Sequence, residues 1–322
     1  MRIRTARTWA LGSHLVVALV TSGVVSVALF ASDDPVRLDR DKTEKTVKAV
    51  LAKHDGPART GLWIGRPSGD ALYASGSGET LPTASAIKTA ILIELFARFA
   101  KELDQPPMGL NAILRDDHPA IAHFSTQQRG EIRNALAGDS VRRIGGIMMG
   151  SVPASNIVYN AAANVALALL GGPKEATRLI QDRDSVFAPI VVRRYMLTDR
   201  KVNGDNVATP AALAAVLQRL ASRSVPGLAE KTVGDIRRAI LAKDDPRGGK
   251  LFIKDGDLAS DPVTCVRSGW SEKPGGGTAV FVVMLAQDQP KGRTADEAHR
   301  DLAATAARLT ESLLDAVKAT GP

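Results

Sequence analysis

Cysteine is nearly absent: Cys265 is the only one in 322 residues. It has no intrachain partner, so no internal disulfide forms and a cysteine-rich zinc cluster is excluded. Histidines number five, with no pair at ligand spacing, and His118 and His123 fall in a loop-like stretch. A zinc hydrolase therefore has little support. Aromatic residues make up 4% of the chain, too sparse for a row of base-stacking platforms. No repeat period is present. No glycine-rich phosphate loop is present either: Gly248-Gly249-Lys250 lacks the upstream glycine and the following hydroxyl, and Gly76-Ser77-Gly78 runs into Leu81-Pro82 instead of a helix start. The basic residues that give a net charge of +8 are scattered, not gathered in a stripe, so nucleic acid is not an expected partner. No cofactor and no metal are expected. What remains is an ordinary composition for a packed protein, 44% hydrophobic and 24% charged.

Part of the positive charge is an address. Arg2, Arg4 and Arg7 precede an apolar run from Leu15 to Ala31. Basic residues followed by apolar ones form the export pattern. The run is long for a signal peptide and short for a spanning helix, which needs roughly 20 residues. Ser26-Val27-Ala28 offers small residues for cleavage. Residues 1–31 thus read as a signal peptide or an N-terminal membrane anchor, with the rest of the chain periplasmic or otherwise extracytoplasmic. Without this segment the charge falls from +8 to +5.

Residues 32–40 read as a polar linker. Val47, Val50 and Leu51 share one stripe of a helix over 41–54. The runs 59–66 and 70–75 form a hairpin across the turn Pro67-Ser68-Gly69-Asp70. A strong helix covers 85–101, and 105–125 is irregular. Helical patterns follow over 127–150, 155–170, 174–183, 211–222 and 228–242. Residues 251–254, 263–268 and 278–286 read as strands, and 295–318 as a closing helix. Strands near both ends with helices between imply one α/β layer built from 41–82 and 205–322, with an all-α part, 83–204, inserted.

Ser85 and Lys88 are three residues apart at a helix start, so they share a face. A serine hydroxyl needs a base to become a nucleophile, and a lysine whose pKa is lowered by burial or a nearby cation supplies one. Helix N-terminal N–H groups beside the serine suit an oxyanion. Ser-x-x-Lys alone recurs by chance, as a helix cap with a solvated lysine one turn on.

Its context is more specific. A hairpin, then Leu81-Pro-Thr-Ala-Ser-Ala-Ile-Lys88, then an apolar helix resembles the start of class A β-lactamases and the related penicillin-binding D,D-peptidases. The resemblance spans roughly 41–318. It implies an antiparallel sheet flanked by the N- and C-terminal helices, an inserted all-α subdomain, and an acyl-enzyme formed on Ser85 with Lys88 as general base. Two registers match the family's S-x-N triplet, Ala154-Ser155-Asn156 and Val158-Tyr159-Asn160, and both lack its first serine. Ser155 is a candidate substitute, and Asn156 or Asn160 would bind the substrate amide; capping and loop-anchoring are the structural alternatives for both. Val263-Thr-Cys-Val-Arg267-Ser268-Gly269-Trp270 is similar to the K-T-G strand, with arginine for lysine. By resemblance Arg267 would attract a substrate carboxylate and help hold Lys88 neutral, Ser268 keep the hydroxyl, Gly269 permit close approach, and the N–H groups of Ser85 and Trp270 form the oxyanion hole. An exposed edge-strand arginine is the alternative for Arg267.

The segment from Val191 to Pro210 resembles the loop that closes the lower rim of the family's site, where a glutamate drives deacylation through water. No glutamate stands between Glu175 and Glu230, and Asp199 is the carboxylate best placed to replace it. Cys265 shares a strand face with Arg267, near the pocket or as a small buried apolar residue. The implied substrate is a β-lactam or a peptidoglycan-type peptide, with competence for acylation and slow deacylation by a monomer. The alternatives are a peptidase or esterase of the penicillin-binding kind and a non-catalytic cell-envelope binding module of the same fold.

Overall fold

The structure, a computed structural model, describes residues 36–54, 56–274, 277–288 and 292–319. The apolar segment 15–31 and the export reading built on it lie outside the described residues. Among these, no helix is long and apolar enough to cross a membrane.

In chain order the elements are β1 (Val36–Leu38), α1 (Arg40–Leu51), β2 (Arg59–Gly65), β3 (Ala71–Ser75) and β4 (Leu81–Pro82). A 3-10 turn, Ala84–Ile87, leads into α2 (Lys88–Arg98), followed by α3 (Leu110–Ile113), α4 (Thr126–Leu136), α5 (Val141–Met149), α6 (Asn156–Leu169) and α7 (Pro173–Arg183). Next come α8 (Arg200–Asn203), β5 (Val207–Ala208), α9 (Pro210–Ala221) and α10 (Glu230–Ala239). The chain then returns to the sheet through β6 (Leu241–Asp244), β7 (Lys250–Ile253), β8 (Gly256–Leu258), β9 (Val263–Glu272) and β10 (Ala279–Gln287), and closes with α11 (Ala295–Ala316) and β11 (Val317–Ala319).

The main sheet is antiparallel in every pairing, in the order β3-β2-β10-β9-β7-β6, with β8 also paired to β9. Central β10 is apolar on both faces because both are covered. Val280, Val282 and Met284 pack into a core shared with α2, α5, α6 and α9. Phe281, Val283 and Leu285 pack into a second core with Leu302, Ala306 and Leu309 of α11. The architecture is α/β, with helices on both faces of one antiparallel sheet.

Several elements differ from the sequence reading, each for a local reason. The pattern 127–150 is two helices, α4 and α5. Gly138 takes a positive φ of 77° between them, and the Ser140 side chain accepts from Arg143 N to start α5. The pattern 228–242 ends at Ala239, and its last residues enter β6. The linker 32–40 contains β1, which pairs with β11 from the far end of the chain. Strand 263–268 extends to Glu272 because its partner β10 continues alongside it.

Candidate active site

The segment that carries Ser85 is strained and anchored. Ala84, just before it, has φ 47° in the left-handed region, which costs an alanine roughly 1–2 kcal/mol. Thr83 holds the turn from one side: its N–H and hydroxyl both donate to Asn206 O, at 2.9 and 3.0 Å. Leu81 pairs with Ala208 in the short β4–β5 ladder. From the other side β8 presses close. A side chain at Gly256 would meet Ser85 N and Thr83 O, each at 2.7 Å. Only glycine allows the strand this near the turn.

Lys88 begins α2 and is 0% exposed. Its Nζ donates to Asn160 Oδ1 at 3.0 Å and lies 3.3 Å from the centroid of the Tyr159 ring. No hydrogen bond joins it to Ser85 among the described residues. Burial, reinforced by the charge of Lys254, holds the Lys88 amine well below its ordinary pKa of 10.5. The Tyr159 hydroxyl accepts from Lys254 Nζ, so this ring stands between the two lysines. Asn160 is fixed in turn, since its Nδ2 donates to Asn156 O and Oδ1 at 2.9 and 3.1 Å.

Lys254, Tyr159 and Gly256 carry no site role by sequence alone. The strand edge beside Ser85 carries Lys254-Asp255-Gly256, a lysine and a glycine at K-x-G spacing, and not Arg267-Ser268-Gly269. The signal was present in the apolar triplet Leu251-Phe252-Ile253 just before Lys254. The longer run 263–268 has the stronger strand pattern and masks that signal. Lys254 N donates to Ser268 O at 2.9 Å, so residues 254 and 268 form a hydrogen-bonded pair. By ladder alternation Asp257, opposite Cys265, forms a non-bonded pair. Its N–H therefore points off the outer edge of β8.

The second strand does structural work. Arg267 pairs with Asp257 at 3.0 Å and lies 3.9 Å from Asp255. Ser268 is fully buried and its hydroxyl donates to Lys254 O at 2.6 Å. Gly269 packs against the Phe252 and Ile253 backbone, and Trp270 is fully buried, stacked on Phe252 at 4.7 Å. These groups lie on interior β9, and the strand that follows Lys254 and pairs with β9 stands between them and the Ser85 turn, so the Ser85 and Trp270 amides do not form a pair at one site.

Ser85, Asn156, Tyr159 and Asn160 line one pocket with Met196, Asp199, Arg200, Asp205, Asp257 and Asp261. Its volume of about 620 Å³ is that of a small-molecule site. Ser155 is not in the lining. It caps α6, accepting from Val158 N at 3.2 Å and donating to Glu131. Asp199 is in the lining, but its carboxylate caps α8 through Lys201 N at 2.8 Å.

The loop closing this pocket is tied down by pairs of polar groups. Asp205 takes a bidentate pair from Arg200, both at 2.7 Å, and a third contact from Arg194 at 3.3 Å. Arg200 continues to Ser260 O at 2.8 Å and Pro262 O at 3.0 Å, joining the loop to the turn between β8 and β9. Fully buried Asn164 grips Met196 from both sides, accepting from its N at 2.5 Å and donating to its O at 3.1 Å. A thioether, without acid or base chemistry at neutral pH, therefore stands at the clamped point of the loop.

No family model matches the chain, and no curated protein matches its sequence. Solved structures do match. The TLA-1 extended-spectrum β-lactamase superposes with a TM-score of 0.61 at 14% identity, over 85% of this chain and 99% of that one. A β-lactamase from Burkholderia ambifaria gives 0.59 at 16%, over 85% and 98%. The β-lactamase from Streptomyces albus G gives 0.56 at 20%, over 82% and 99%. The chain has the class A β-lactamase fold. At these identities the likeness is one of architecture, and the chemistry is argued from the site itself.

Proposed function

We propose that the protein is an exported serine hydrolase acylated at Ser85 by a β-lactam or a related amide or ester, and that it deacylates slowly. The observation that carries this reading is Lys88: a buried amine, depressed in pKa, one helical turn from a pocket-lining serine. In its neutral form the amine accepts the Ser85 proton as Oγ attacks the carbonyl carbon. The hydrogen bond between them forms when substrate closes the pocket, as catalytic contacts often tighten only in the complex. The amides of Ser85 and Asp257 receive the developing oxyanion. The Tyr159 hydroxyl gives a proton to the leaving group in place of the missing serine and takes one back from Lys254 Nζ, which donates to it. Asn160 orients Lys88 and the substrate amide.

Deacylation requires a base to activate water, and losing one costs about 10²–10⁴-fold. Met196 offers none, and Asp199 is engaged at the α8 terminus. The acyl-enzyme therefore persists, which fits a penicillin-binding peptidase or esterase better than a fast resistance enzyme. Intact mass after exposure to benzylpenicillin tests this. A covalent adduct should appear on the wild type, decay slowly, and be absent from Ser85→Ala. No adduct with penicillin or with a fluorophosphonate would refute the acylation reading in favour of a non-catalytic binding module.

A further inference from the structure

Three residues far apart in sequence, Asp257, Cys265 and His299, meet on the sheet face that α11 covers. Their Oδ, Sγ and imidazole nitrogen atoms all lie within 4.8 Å of one another. We propose that they form a zinc site at the rim of the Ser85 pocket, with solvent water as fourth ligand.

Each residue is placed by a different element. Asp257 and Cys265 are cross-strand partners on β8 and β9. Theirs is a non-bonded pair, the arrangement that brings side chains closest on one face. His299 lies in the first two turns of α11, above them. Its Nε2 is buried and has no hydrogen-bond partner among the described residues. Asp257 Oδ1 lies 3.4 Å from it. Ligands around a tetrahedral zinc stand about 3.3–3.6 Å apart, given bonds of about 2.0 Å to nitrogen and oxygen and 2.3 Å to sulfur. The histidine–carboxylate separation of 3.4 Å already matches, and the sulfur, within 4.8 Å of the other two donors, needs a shift of up to roughly 1.3 Å to complete the set.

Thiolate, imidazole and carboxylate form a donor set suited to zinc and poorly suited to magnesium or calcium. Cys265 is fully buried, whereas Asp257 is 39% exposed, so the ion enters from the pocket side. Binding releases the thiol proton to solvent, and thiolate plus carboxylate then balance the two charges of the ion. Arg267 now occupies Asp257 at 3.0 Å. It transfers to Asp255, already 3.9 Å from its Nε, so the guanidinium keeps a partner away from the metal.

The test is titration of the purified full chain with Co²⁺ and then Zn²⁺. Cobalt should bind near 1:1 and give a thiolate-to-cobalt charge-transfer band that zinc abolishes. Cys265→Ser should remove the band, and His299→Ala should weaken binding by at least ~10-fold, with unchanged circular dichroism in both. Ser85→Ala should bind as the wild type does, which separates this site from the acylation reading. Absence of the band, or a band untouched by Cys265→Ser or His299→Ala, would overturn the proposal. If Cys265→Ser does not fold, the wild-type band and His299→Ala decide.

Discussion

Lys88 shows how one side chain sets the chemistry and is charged for it in stability. Its amine is fully buried beside Tyr159 and near the charge of Lys254, so its folded pKa lies well below 10.5. Below that folded value the amine is protonated and cannot accept the Ser85 proton. Acylation should therefore slow as pH falls through it. The stability effect has the same sign. Between the folded pKa and 10.5 the unfolded chain binds a proton that the folded chain does not, so stability rises with pH across that window. Lys88→Met should flatten this rise in a series of melting curves while abolishing acylation. An unchanged pH slope in Lys88→Met would remove the buried neutral lysine from the account. Tyr159→Phe keeps the ring over Lys88 but loses the hydroxyl that accepts from Lys254. Acylation should fall by about 10²–10⁴-fold, with little change in melting temperature. Stopped-time mass spectrometry reads this directly, and a rate equal to wild type would exclude Tyr159 as the proton donor.

At the scale of elements, the close approach of β8 to the turn before α2 is the contact on which the site depends. Gly256→Ala would drive a methyl into Ser85 N and Thr83 O at 2.7 Å, both backbone atoms with little room to yield. We expect a loss of ~1–3 kcal/mol in urea unfolding and a marked loss of acylation. Gly130→Ala is the control. Gly130 lies within α4, and a methyl there meets nothing within 4 Å, so stability should rise by up to ~1 kcal/mol. Equal effects at the two glycines would show that the close approach is not what matters. Short elements were also the hardest to read in advance. β8 has three residues and β1 pairs with β11 across almost the whole described chain, so no local periodicity announces them. Longer elements such as α6, α9 and β10 declared themselves through capping residues and apolar patterning.

At the scale of the whole molecule, one sheet is shared by two cores. Ile91 lies in the core on the α2 side and Leu309 in the core under α11, both 0% exposed. Ile91→Ala and Leu309→Ala should each cost about 2–5 kcal/mol. Because β2, β9 and β10 contribute side chains to both cores, each variant should still unfold in a single calorimetric transition at a lower temperature. Two separated transitions would show that the faces of the sheet unfold independently.

Local sequence determined where most of the longer helices and strands lie, the Ser85–Lys88 pair and the loss of a glutamate from the closing loop. These rest on spacing within one turn, apolar period and residue identity, which need no knowledge of distant partners. Only the tertiary structure decided which strand edge meets Ser85, and hence that Lys254, not Arg267, lies beside the buried amine. It also selected Asn160 over Asn156 as the partner of Lys88, and turned Ser155 to cap α6 against Glu131. The same holds for Cys265. As a lone cysteine it excluded disulfides and cysteine-rich clusters, but its neighbours Asp257 and His299 arrive from another strand and from the last helix. Proximity of this kind comes from sheet register and helix docking, which no stretch of sequence around any one of these residues encodes.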